Sequence, residues 1–189
     1  MLQDFVDEYR RYRHTGERAL AQIPDDALDR VSAPDGNSPA MIVRHLSGNL
    51  ASRFGDFLTS DGEKPWRDRE QEFAERSYGR AEMDVLWAEG WQVVEGTLAG
   101  LTDADLARTV TIRGQPWSVH AALCRSLAHV AYHVGQLVLL ARQSTDSAWQ
   151  WISIPKGQSD AYNAAPHLER GPGSGADAAA RETGAADGR

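Results

Sequence analysis

The stretch at residues 118–142, SVHAALCRSLAHVAYHVGQLVLLAR, is the most apolar long segment of the chain. Its apolar residues recur every three or four positions, which predicts one buried face of an α-helix. Within it, LAHVAYHVGQ (127–136) places His129 and His133 about one turn apart on a shared face. Each imidazole brings a donor and an acceptor that need partners. Two of them on one helix face indicate that something binds both.

Three further segments show helical spacing, at residues 2–22, 38–58 and 80–100. Ser38 is a good N-cap for the second of them, and Pro39 suits the first helical position. Four helices of similar length, joined by connections of unequal length, predict an all-α, antiparallel four-helix bundle over residues 1–164. Such bundles hold metals and ligands between facing helices, on side chains that project inward.

The connections carry their own expectations. TVTI (109–112) reads as a short extended piece before a turn at Gly114. Trp66 and Phe73 lie in a long polar connection, and we expect both to pack back over the bundle near the site. The stretch ISIPKGQS (152–159) is expected to cover the site from the C-terminal side. Residues 165–189 are rich in glycine and alanine, which predicts a disordered tail.

Composition narrows the functional classes. The chain has 189 residues, a formal net charge of −7 and a pI near 5.3, which argues against sequence-independent nucleic-acid binding. No apolar run approaches the roughly 20 residues of a membrane span, and the N-terminus lacks the apolar core of a signal peptide. A single cysteine, Cys124, excludes an internal disulfide and is expected to be a small buried apolar residue. Together these features predict a cytoplasmic protein.

Two histidines make a poor metal site, so a third ligand has to come from another helix. His45 is the candidate, because it falls on the apolar face of the second helix. Three neutral imidazoles around one divalent ion leave an open position for water or substrate, as in catalytic rather than structural sites. The alternative is that these histidines are core residues, each hydrogen-bonded to a neighbour without any metal.

Two motifs on different predicted helices carry a family resemblance. RHLSGN (44–49) together with LAHVAYHVGQ resembles the DinB/YfiT-like superfamily of four-helix bundles. Further stretches resemble one bacterial branch of that superfamily whose function is uncharacterised: GNLASRFGDFLTSDGEKPWRDR (48–69), WAEGW (87–91), TIRGQP (111–116) and SIPKGQSDAYN (153–163). The resemblance covers residues 1–164 and leaves out the tail.

The resemblance implies a divalent metal ion, commonly nickel or zinc, held by His45, His129 and His133. Characterised members of the superfamily include S-transferases that use bacillithiol or mycothiol, a mycothiol-dependent isomerase and a metal-dependent hydrolase. The implied function is therefore a metal-dependent thiol transferase, or a related hydrolase, that acts on small electrophiles. The alternative is a non-catalytic metal-binding or stress-response module.

Four residues are candidates for binding substrate around the metal. Asn49 and Arg53 follow His45 by one and two turns, Arg125 precedes His129 by one turn, and Gln136 lies seven residues beyond it. A guanidinium beside an open metal suits an anionic ligand such as the carboxylate of a thiol cofactor. Gln136 is also a candidate partner for the second nitrogen of a histidine.

The catalytic residues are not identified by any of these patterns. Asp56 and Glu89 are possible general bases by residue type alone. The expected partner is a small-molecule substrate, with no nucleic acid and no membrane, and a homodimer that packs bundle faces together is possible.

Overall fold

Four long helices dominate the computed structural model, which describes residues 1–145 and 149–166. The elements in chain order are α1 (Leu2–Leu20), α2 (Pro39–Phe54), α3 (Arg69–Glu72), α4 (Arg80–Ala99), β1 (Thr109–Ile112), β2 (Gln115–Ser118), α5 (Val119–Ser144) and α6 (Ser159–Ala164). Single 3₁₀ turns lie at Asp25–Ala27 and Asp103–Ala107. The predicted all-α four-helix bundle is confirmed.

Side-chain caps fix where the two site-bearing helices begin. The Ser38 hydroxyl accepts from the backbone N–H of Met41, and Pro39 opens α2, as the sequence predicts. The Ser118 hydroxyl likewise accepts from Ala121 at the start of α5. These caps define the first turn of each helix. The position of every later residue around the helix axis follows from that start.

The helices run in pairs with the same direction. In α1 and α5, the Tyr9 hydroxyl donates to the Leu123 carbonyl near the starts of both helices, and the Thr145 hydroxyl donates to the Gln22 carbonyl just past their ends. In α2 and α4, the Thr97 hydroxyl donates to the Phe54 carbonyl, again near both C-terminal ends. Each pair is therefore parallel, and antiparallel packing holds between the pairs.

The parallel α2–α4 pair explains the long connection between these helices. The chain leaves α2 at one end of the bundle and has to return to the other end before α4 begins, which takes residues 55–79. The returning chain brings α3 and the residues beside it into contact with α2. The connection therefore forms one wall beside the α2–α5 contact.

A small hairpin closes one end of the bundle. Strands β1 and β2 pair in antiparallel register, from Thr109 opposite Ser118 to Ile112 opposite Gln115. Arg113 and Gly114 form the turn with positive φ values of 53° and 72°. The Asp61 carboxylate accepts from both of their backbone N–H groups, which ties the long connection to the hairpin. The extended TVTI stretch is confirmed, whereas its partner strand has no signal in the sequence.

Three sequence expectations about packing are wrong. Trp66 is 62% exposed, although Phe73 does pack inward. Cys124 is exposed rather than buried. In the C-terminal segment, the Trp151 and Ile152 carbonyls accept hydrogen bonds from Arg18 at the end of α1, so this stretch packs there instead of over the site.

Two further expectations concern the C-terminal tail and membrane-spanning helices. Residues 167–189 of the predicted tail are outside the described residues, so the tail prediction stays a prediction. Within residues 1–145 and 149–166, no helix combines the length and the apolar character needed to cross a bilayer.

Candidate metal centre

Three histidines converge between α2 and α5. One ring nitrogen from each of His45, His129 and His133 lies within 4.8 Å of the others. The Nε2 atoms of His45 and His129 are 3.1 Å apart. Ligand nitrogens about 2.0–2.1 Å from one ion lie roughly 3.0–3.4 Å from each other. The predicted convergence of these three residues is confirmed, and they are able to hold a divalent ion.

Hydrogen bonds fix the tautomers of two of the rings. His45 Nδ1 lies 2.8 Å from Glu72 Oε2, and His133 Nδ1 lies 2.8 Å from Gln136 Oε1. Both oxygens are acceptors, so each Nδ1 carries the proton and each Nε2 keeps its lone pair. The donor set therefore fits a metal ion, which takes the unprotonated nitrogen of a neutral imidazole.

His129 supplies a different observation. Its Nδ1 atom is buried and has no hydrogen-bond partner within the described residues. A buried ring nitrogen without a partner costs free energy unless some other group satisfies the ring. The Nε2 atom of His129 is the nitrogen that faces His45, so the unpartnered Nδ1 lies on the opposite side of the ring from the cluster.

Burial keeps two of the three rings in their neutral form. It lowers the pKa of His129 to about 3, with the neighbouring imidazoles of His133 and His45 adding to the effect. It also lowers the pKa of His133 to about 4, again helped by His45. Both rings are thus unprotonated at neutral pH and do not need to lose a proton before they bind a cation.

Glu72 is the site residue that the sequence did not reveal. It lies on the four-residue helix α3, is 8% exposed, and receives hydrogen bonds from the Arg67 guanidinium at 2.7 and 2.9 Å. Burial works to raise the pKa of Glu72, but the hydrogen bonds from His45 and Arg67 outweigh it and lower that pKa. Glu72 therefore stays ionised and orients His45, as carboxylates do beside metal-bound histidines.

Gly48 makes the approach of Glu72 possible. A Cβ at this position would overlap Glu72 Oε1, so no residue with a side chain fits without displacing the carboxylate. Gly48 belongs to RHLSGN, one turn of helix from His45. A small residue beside a candidate ligand was the available sequence signal, although it does not say which carboxylate approaches.

A cavity of about 970 Å³ extends from the histidines along α2 and α5 toward the hairpin. Asn49, Arg53 and Arg125 all line it, as the sequence predicts for a substrate pocket. Gln136 is not among its lining residues and instead binds His133, which was the alternative role. The substrate-binding role of all four residues stays a prediction.

The two arginines differ in their partners. Arg53 donates to the Gly62 carbonyl and forms a 3.0 Å ion pair with Glu63, so it is tied to the long connection. The guanidinium of Arg125 lies over the Trp117 ring at 5.5 Å. The two residues considered as general bases lie outside the candidate site, because neither Asp56 nor Glu89 lines the cavity.

The helical bundle that carries this histidine cluster has a DinB-like fold. Among solved structures, the chain is similar to a DinB-like protein from Bacillus cereus ATCC 10987, with a TM-score of 0.51 and 17% identity, over 76% of this chain and 89% of that one. At this identity the likeness shows the fold. The predicted DinB-like fold is confirmed.

The family is defined more closely by the sequence itself. The chain belongs to the family described as "Protein of unknown function (DUF1572)", whose model matches residues 1–158. No curated protein matches the chain.

Proposed function

We propose that the protein binds a divalent metal ion at the histidine cluster and uses it to activate a small thiol, or a water molecule, for attack on a small electrophile. The observation that carries the proposal is the pair of fixed tautomers. Glu72 and Gln136 hold the Nδ1 protons of His45 and His133, which leaves both Nε2 atoms available as ligands.

Three neutral imidazoles suit a catalytic rather than a structural site. A bound zinc or nickel ion with one open position lowers the pKa of a thiol or water that occupies it. In thiol transfer, the new S–C bond forms as the leaving group departs with its electron pair, and the thiol proton is released. The described lining of the cavity contains no carboxylate, so we propose that this proton passes to solvent.

The choice of thiol transfer over hydrolysis rests on the family resemblance. Superfamily members that use bacillithiol or mycothiol make such a thiol the first candidate co-substrate. The size of the cavity, about 970 Å³, is compatible with a small molecule rather than a bare ion alone. A non-catalytic metal-binding module is the competing function, and the assays below separate the two.

Metal content is the first measurement. The purified protein is incubated with zinc or nickel, dialysed and analysed by mass spectrometry, and we expect about one ion per chain. Alanine at His45, His129 or His133 is expected to abolish retention of the ion. Exposed His14 and His120 provide matched controls, and their alanine variants should retain the metal. Wild-type protein without metal after this treatment would exclude the proposed centre.

Activity is the second measurement. Metal-loaded protein is assayed for conjugation of low-molecular-weight thiols to chlorodinitrobenzene, in which chloride is the leaving group, and to an epoxide. A panel of ester and amide substrates covers hydrolysis. We expect turnover that the alanine variant of His133 lacks and the alanine variant of His14 keeps. Retention of metal without turnover in either panel would favour the non-catalytic module.

A further inference from the structure

Positive charge is concentrated along the cavity. Five arginines line it and no acidic residue does, within the described part of the chain: Arg53, Arg67, Arg69, Arg113 and Arg125. Part of that positive charge is balanced by carboxylates that do not themselves line the cavity. Glu72 pairs with Arg67, and Glu70 lies 3.4 Å from Arg69.

The remaining charge is only partly balanced. A single carboxylate, Glu63, serves both Arg53 at 3.0 Å and Arg113 at 2.8 Å. Arg125 has no acidic partner within the described residues. Its guanidinium lies over the Trp117 ring, which leaves its N–H groups available. The Asp61 carboxylate also lies at the hairpin end, where it accepts from the backbone of Arg113 and Gly114, so the excess positive charge there is that of Arg125.

An unpartnered amide lies near the same level of the bundle. Asn49 is 8% exposed, lines the cavity, and has no side-chain hydrogen bond within the described residues. It follows His45 by four residues, and Arg125 precedes His129 by four. Because α2 and α5 run antiparallel, both residues are displaced from the histidines in the same direction, by about 6 Å along the axis.

We propose that the cavity binds a small organic anion whose carboxylate is held by Arg125 and the Asn49 amide, at a level displaced from the histidine cluster by about 6 Å along the helix axes. Four aromatic rings also line the cavity and suit an apolar body: Phe54, Phe57, Phe73 and Trp117. Recognition of the anion depends only on the cavity. The assignment of its other end as the reacting end rests on the proposed metal function.

The test compares two probes of the same shape and different charge. Naphthoate and naphthamide are titrated calorimetrically into the full chain, in zinc-loaded and in chelator-treated form. We expect naphthoate to bind about tenfold more tightly, because charged hydrogen bonds are stronger than neutral ones. The R125Q variant should lose this preference. The R30Q variant is the control, since Arg30 is exposed and does not line the cavity.

The outcomes separate this inference from the proposed function. Zinc retention with equal affinity for both probes would overturn the anion site alone. A preference for naphthoate in protein that retains no zinc would keep the anion site and overturn the metal function. A preference that appears only with zinc, and that R125Q leaves unchanged, would assign the carboxylate to the ion and contradict the role of Arg125.

Discussion

The α1–α4 contact and the α2–α5 contact are both antiparallel, but they bring together different kinds of side chain. Between α1 and α4, Tyr9 packs edge to face on Trp91 with ring centroids 6.4 Å apart, and Trp87 packs beside Trp91 on α4 at 5.6 Å. Between α2 and α5, the rings are imidazoles whose nitrogens face one another across a cavity. The first contact buries mostly apolar surface, although the indole nitrogens of Trp87 and Trp91 have no partner within the described residues. The second brings together three ring nitrogens that are able to bind one ion.

The two contacts differ in how much they contribute to the free energy of unfolding. Apolar burial contributes about 25 cal/mol per Å², and large aromatic rings contribute most of it per residue. Buried polar nitrogens contribute only when they have partners, and one of them, His129 Nδ1, has none within the described residues. We therefore expect the aromatic side chains at the α1–α4 contact to contribute to stability, and the histidines at the α2–α5 contact to determine metal binding.

The largest expected effect is on the aromatic contact. Trp91 is 1% exposed, and its replacement by alanine should lower the free energy of unfolding by about 3–5 kcal/mol through lost burial and a cavity. The same substitution at Trp66, which is 62% exposed, should change it by less than about 0.5 kcal/mol. Denaturant unfolding measures both. Equal losses in the two variants would contradict the packing described here.

The second effect is on the metal site. E72Q removes the charge that orients His45 and is expected to weaken zinc binding about 10–100-fold. Chelator competition measures the affinity. Glu70 lies two residues away with its side chain 87% exposed, so E70Q is the matched control and should leave zinc affinity unchanged.

Loss of a buried charge also affects folding, because Arg67 has its side chain only 2% exposed. G48A therefore provides a second variant that keeps every charge and displaces the Glu72 carboxylate. It should weaken zinc binding in the same direction. Unchanged affinity in a folded G48A protein would show that Glu72 does not act through His45.

A pair of glycines tests the aromatic contact more finely. A Cβ at Gly16 would overlap the Trp87 ring, whereas a Cβ at Gly135 meets nothing within 4 Å. Alanine gains about 0.5–1 kcal/mol over glycine at both helical positions, but overpacking at Gly16 costs about 1–3 kcal/mol. We expect a lower melting temperature for G16A and an equal or higher one for G135A. A rise for both would mean that Trp87 moves aside freely.

Local sequence patterns predicted the helices and the three candidate metal-binding histidines. Periodic apolar residues and the Ser38–Pro39 start define the phase of α2, and that phase puts His45 on the inner face. The spacing of His129 and His133 defines a shared face of α5 in the same way. The prediction that the three histidines converge required in addition only that α2 and α5 pack against each other.

Long-range contacts account for what the sequence did not predict. The residues of α3, REQE, read as a solvated loop, and Glu72 is buried only because the long connection brings it to His45 and Arg67. The apolar character of Trp66 predicted burial, but a single large side chain does not by itself determine where the chain packs. Neither outcome is encoded within a window of a few residues.

The last expected effect is the pH dependence of the metal-free protein. The pKa values of His129 and His133 are lowered to about 3 and about 4, against about 6.5 in an unfolded chain. Below pH 6.5 the unfolded chain therefore binds more protons than the folded protein does, so stability falls as the pH falls. The loss continues until the pH reaches the folded-state values.

Thermal unfolding of chelator-treated protein between pH 7 and pH 5 measures this effect. We expect the melting temperature to fall steadily over that range, and to fall less in H129L, which removes one of the two neutral rings. H14L is the control and should keep the wild-type slope, because His14 is exposed. A slope that H129L leaves unchanged would place the pH dependence outside the α2–α5 contact, and the division between a stabilising contact and a ligand-binding contact would then lose its electrostatic basis.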